Sequence, residues 1–166
     1  MKRVLSCAFL TATVVSGCSK SAPPPGKVSS IENICEQADE SRVRVSGHLR
    51  YRRGLLSFCS SYGGHKTCDL ALYAGPEKPP DYNIMRPRTG PEPTQVKISV
   101  PVGDQPGEMP ELPEKFKESD IVIHLPNKAQ AAEGSRVTLD GTLKVIPGQA
   151  AAPKSCYINV EWATAG

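Results

Sequence analysis

Apolar and polar residues alternate at period two in several stretches of the chain, the signature of half-buried β-strands. The clearest runs from Arg42 to Arg53, with Val43, Val45, Leu49 and Tyr51 on one side. A near-copy occupies Arg136 to Val145, with the same offsets of arginine, apolar residues, glycine and leucine. Gly47 and Gly141 both fall at inward positions of these strands. A glycine inside a strand weakens it unless the strand bends, bulges or admits close backbone approach, so two long strands broken at one offset predict a strongly coiled sheet or a small barrel. Further strands are expected at Leu70–Tyr73, at Gln95–Val102 with Val96, Ile98, Val100 and Val102 alternating, at Ile121–Leu125, and at Tyr157–Trp162 with Ile158, Val160 and Trp162 inward. The period changes at Ile31, Ile34, Cys35 and Ala38, whose i, i+3, i+4, i+7 spacing predicts a short helix with all four on its buried face. Ser29-Ser30-Ile31-Glu32 before it matches a capping box.

The class is therefore mainly β, with five or six strands. A long bent first strand, a later strand with a central glycine and a final edge strand resemble the OB-fold over residues 40–162, which implies a small Greek-key barrel. An immunoglobulin-like sandwich is the alternative. Proline reinforces the β assignment: of 16 prolines, ten lie between Pro76 and Pro113, where they favour turns and extended backbone. Residues 76–119 are longer than an ordinary connection and are expected to form a Pro-rich surface insertion around the strand at 95–102, or to be partly mobile.

The first residues follow another logic. Met1-Lys2-Arg3 is a short positive segment, and Val4 to Val15 is an apolar run too short to span a bilayer as a helix, so residues 1–17 read as a signal peptide. Val15-Ser16-Gly17-Cys18 resembles the lipobox of bacterial lipoproteins, which implies diacylglyceryl transfer to Cys18 and cleavage before it. The same resemblance, with Ser19 rather than aspartate after the cysteine, implies an outer-membrane lipoprotein facing the periplasm, with the inner membrane as the alternative. Residues 18–28, with the proline triplet at 23–25, form an extended Pro-rich tether, and residues 29–166 form a single β domain. The net charge of +3 falls to +1 once Lys2 and Arg3 leave with the signal, so charge gives no reason to expect nucleic acid.

With Cys7 in the signal and Cys18 acylated, Cys35, Cys59, Cys68 and Cys156 remain, an even number in an exported chain. Three pairings are formally open. Cys59 and Cys68 flank one short loop, while Cys35 and Cys156 lie on inward faces of the helix and the last strand; the expected disulfides are Cys59–Cys68 and Cys35–Cys156. A metal site of Cys59, His65 and Cys68 is the alternative, without a fourth ligand or the usual Cys-x-x-Cys spacing. His48, His65 and His124 have no nucleophile or ligand at a recognisable offset, and the glutamates Glu108 and Glu111 fit a solvated Pro-rich loop. No catalytic residue, metal or cofactor is expected, and the chain does not read as an enzyme.

A surface remains. Alternation places Arg42, Arg44, Ser46, His48, Arg50 and Arg52 on the outward side of the first strand. The plain reading is a solvated strand face; the sharper one is a binding face for an acidic partner, because arginine's planar fork suits carboxylate and phosphate. OB-like domains use the loops after their first and fourth strands, here 57–67 and 147–155. Together these make Arg44, Arg50, Arg52, Tyr62, His65 and Lys66 the candidate contacts. The chain then reads as a lipid-anchored binding or adaptor module for an envelope protein or an acidic glycan. A structural accessory subunit of an envelope assembly is the alternative.

Overall fold

A computed structural model of the chain describes residues 21–51, 59–62, 65–77, 94–148 and 154–166. Ten strands occur there: β1 (Lys27–Val28), β2 (Arg42–Tyr51), β3 (Cys59–Tyr62), β4 (His65–Cys68), β5 (Leu70–Tyr73), β6 (Gln95–Ser99), β7 (Ile123–His124), β8 (Gln130–Ala131), β9 (Arg136–Ile146) and β10 (Ser155–Ala165). Short 3-10 helices occupy Ile31–Glu36, Glu118–Asp120 and Pro126–Lys128.

Five strands close on themselves in the order β2-β5-β6-β10-β9 and back to β2. All neighbours are antiparallel except β6 and β10, which run parallel through Lys97–Ser99 and Tyr157–Asn159. The result is an OB-like ring rather than two stacked sheets, and its closure leaves few unpaired edges. Closure depends on β2, which pairs with β9 over Arg42–His48 and with β5 over His48–Tyr51. A strand shared in this way must bend at the handover, and Gly47 lies there. A Cβ on Gly47 would stand 2.7 Å from Ile31 Cδ1 and 2.9 Å from the Tyr73 carbonyl oxygen. Gly141 is closer still to its neighbour, with a Cβ position 2.2 Å from the Asn159 carbonyl oxygen. It pairs with Val160 beside the register shift between Val160 and Trp162. The repeated glycine thus marks close backbone approach at both places and a bulge at the second.

Alternation is borne out along the long strands. Val43, Val45, Leu49, Val96, Ile98, Val137, Leu139, Leu143, Ile158 and Val160 are all buried in one cluster. Each fully buried aliphatic side chain of this kind is worth roughly 1.5–3 kcal/mol relative to exposure. Strands β6 and β7 are shorter than expected, ending at Ser99 and covering only Ile123–His124.

The helical segment differs from its expected form. It is a 3-10 helix, and its three-residue period buries Ile31 and Ile34 while Cys35 is only partly buried. It stops at Glu36, with Gln37 already extended, so Ala38 is exposed. The capping box does not form: Ser30 is the N-cap and makes no side-chain cap bond, and the Ser29 hydroxyl donates to the Lys27 carbonyl.

The insertion is also more than a surface excursion. In its described part, Met109 is fully buried and Leu112 nearly so. Val102 bridges Met109, the His124 N–H donates to the Glu108 carbonyl at 2.8 Å, and that of Gly107 to the His124 carbonyl at 2.9 Å. This segment therefore adds to the core beside β7. At the other end of the chain, order begins before Ser29. Strand β1 pairs in parallel with β2 at Val43 and Arg44, on the edge that β5 leaves uncovered, so residues from Pro24 onward lie on the sheet rather than in a free tether.

Two disulfides, Cys35–Cys156 and Cys59–Cys68, join the expected partners. The first ties the 3-10 helix to β10 across a separation of 121 residues, the second closes a separation of nine. Structural disulfides place folding in a non-reducing compartment. Among the described residues no helix is long and apolar enough to cross a membrane.

Candidate binding face

The outer side of β2 carries its polar residues as alternation requires, but cross-strand register supplies them with partners. Arg44 lies opposite Asp140. Its Nε donates to both carboxylate oxygens at 3.0 and 3.1 Å, and its Nη2 to Oδ2 at 2.7 Å. The Asp140 side chain is 3% exposed and that of Arg44 38%, so the carboxylate is the buried member of the pair. Its Oδ1 also accepts the Gly26 N–H at 2.9 Å. The hydrogen bond to Asp140 raises the pKa of Arg44 above its ordinary value, with desolvation opposing and the charge of Asp140 adding to it.

Arg42, one row further along, donates from Nε to the Pro24 carbonyl at 2.8 Å and from Nη1 to Glu161 at 2.8 Å. The Thr142 hydroxyl donates to the other Glu161 oxygen at 2.7 Å. The expected free basic stripe is thus largely neutralised. Arg42 binds the N-terminal segment and the bulge of β10 to the sheet, and Arg44 holds Asp140, which in turn accepts from Gly26. Ser46 and Thr138 share a hydrogen bond of 2.7 Å, and His48 Nδ1 lies 3.3 Å from the Gly134 carbonyl oxygen.

Arg50 departs furthest from its expected place. Instead of standing in solvent it is 9% exposed, because β2 has by then left β9 and runs against β5, with Ala71 as its partner. Its Nη2 donates to the Pro76 carbonyl, while Nε is buried without an acceptor. Tyr62 and His65 pair across the β3–β4 hairpin, and Lys66 pairs with Ser61. This hairpin was read as a plain loop. The signal that would have found it is the Gly63-Gly64 dipeptide between two four-residue segments, a sequence pattern that favours hairpin connections. Arg52 and Cys18 lie outside the described residues. Cys59 and Cys68 are bonded to one another, so neither offers a thiolate to a metal beside His65. Glu108 accepts the Gln105 N–H at 3.0 Å and so has a local structural role. Lys154, in the expected second loop, lies 3.6 Å from Glu36.

A second polar face, which the sequence reading passed over, runs across β6, β10 and β9. Register sets Lys97, Tyr157 and Lys144 in one row, and Ser99, Asn159 and Thr142 in the next. Lys144 is ion-paired with Glu40, and the hydrogen bond that its Nζ donates to that carboxylate raises its pKa, with burial opposing. The alternation of β9 and β10 carried this signal, but only the pairing of β6 with β10 assembles the rows. No family model matches the chain, and no curated protein matches its sequence.

Proposed function

We propose that the chain is a cell-envelope lipoprotein. It is acylated at Cys18, held to a membrane by its N-terminal lipid, and presents the OB-like ring to the periplasm as a binding or adaptor module without catalytic activity. Outer-membrane attachment follows from Ser19. The observation that carries this reading is the pair of disulfides in the domain, because the non-reducing compartment they need is the one to which a lipobox-bearing signal delivers a chain. The docked residues from Pro24 onward shorten the tether to residues 19–23, which at about 3 Å per extended residue holds the ring roughly 15 Å from the bilayer.

The partner is an envelope protein or an acidic glycan. A structural accessory role is the second reading, favoured by the internal pairing of Arg42 and Arg44, which leaves less free charge for a soluble ligand. Crosslinking intact cells and recovering the tagged protein from membranes separates the two. A stoichiometric complex of fixed composition supports the accessory role. A partner recovered substoichiometrically, and lost as salt rises, supports the adaptor. Recovery of the protein alone, with no crosslinked protein or glycan, counts against both.

A further inference from the structure

Arg50 is a cation buried without a counter-charge. Arginine keeps its proton in proteins, and a desolvated charge is costly unless an opposite charge and hydrogen bonds compensate it. Among the described residues, the acceptor for Arg50 is the Pro76 carbonyl alone; Nε has none, and no carboxylate is paired with the group. Arg44, on the same strand, sets the contrast, since Asp140 closes the Nε and Nη2 edge of its guanidinium.

A second arginine lies on the same face of the sheet. Register places His48 opposite Arg136 in the adjoining row, and Arg136 is exposed with no ion pair among the described residues. The β8–β9 turn approaches Arg50 at Gly134, where the backbone φ of +91° favours glycine and a Cβ would stand 3.2 Å from Arg50 Nη1. With glycine there, position 134 itself puts no side chain over Nη1.

We infer that Arg50 is the floor of an anion site, with His48 and Arg136 at its rim and Gly134 at its entrance, and that its ligand group is a compact oxyanion, a carboxylate or a phosphate. The inference deepens the adaptor reading, on which it rests for the source of the group, by naming the chemistry of the occupant.

The test compares wild type with Arg50→Met, which keeps an unbranched stem and removes the charged guanidinium. Thermal unfolding is measured in chloride and, at equal ionic strength, in inorganic phosphate or acetate; the two anion arms tell phosphate from carboxylate. In chloride, Arg50→Met unfolds no lower than wild type, because an apolar side chain replaces an uncompensated cation. At anion concentrations about tenfold above Kd, the wild-type Tm rises by about 4 °C more than that of the variant. Calorimetric titration shows at least about tenfold weaker binding by Arg50→Met. Arg136→Gln, at an exposed position, folds normally and weakens binding about two- to threefold at low salt.

Equal rises in wild type and variant are general salt stabilisation and overturn the site. A lower Tm or failure to fold for Arg50→Met in chloride, together with anion binding by Arg136→Gln that equals wild type, overturns it as well. If anion binding stands while crosslinking recovers no partner, the adaptor reading fails and the site remains.

Discussion

Asp140 holds three parts of the molecule at once: it accepts from Arg44 on β2, accepts from the Gly26 amide of the N-terminal segment, and is itself part of β9. Its carboxylate is the buried partner and Arg44 the hydrated one, so the two deletions are unequal. Arg44→Ala strands a buried carboxylate, whereas Asp140→Ala leaves a guanidinium that water reaches. Both variants are expected to lower Tm by several degrees, Arg44→Ala by more, and a thermal melt of each ranks them. The raised pKa of Arg44 means that its contribution is fully present below its ordinary value and is lost only as pH rises through the raised one, so the ranking holds across neutral pH. At this scale the sequence was half legible. Period two told which side of β2 Arg42 and Arg44 occupy, because that is local geometry. It did not tell that Glu161 and Asp140 face them, because register between β2, β9 and β10 is non-local. Arg50 was misjudged for the same reason: Leu49 and Arg50 are both buried where the strand changes neighbours.

Among the elements, β9 and β10 were readable because each has a buried face that forces alternation, β5 because it is apolar and buried throughout, and in β2 the central Gly47 pointed to the bend. The 3-10 helix was harder. Ile31 and Ile34 fit an α-helix and a 3-10 helix equally, and only the exposed Ala38 separates them. The β3–β4 hairpin lacked apolar alternation, so the Gly-Gly dipeptide in its sequence and the flanking cysteines were the remaining signal. The disulfides belong to this scale. In the loop-entropy account the link across 121 residues contributes about 5 kcal/mol and the one across nine roughly 3 kcal/mol. Denaturant unfolding of Cys35→Ala/Cys156→Ala should therefore show the larger loss, and that of Cys59→Ala/Cys68→Ala the smaller. The reverse order would mean that the hairpin, not the tie between the 3-10 helix and β10, limits stability.

As a whole the molecule is a closed OB-like ring whose first described residues are fastened to its outer face and whose described inner loop at 100–112 is packed into its core. Strand content and glycine placement made the ring legible. The role of the flanking segments was not, because Pro-rich sequence looks the same whether it is solvated or held by Arg42 and Asp140. The central claim is that this ring is an envelope module anchored through acylated Cys18, and the mass of the mature protein tests it most directly. Protein purified from membranes of the native host is analysed by intact mass spectrometry beside Cys18→Ala. The account predicts a wild-type chain beginning at Cys18 and carrying lipid, with two disulfides, and a Cys18→Ala chain that is unprocessed or released from the membrane. A wild-type chain with no lipid on Cys18, or unchanged membrane fractionation of Cys18→Ala, would contradict it.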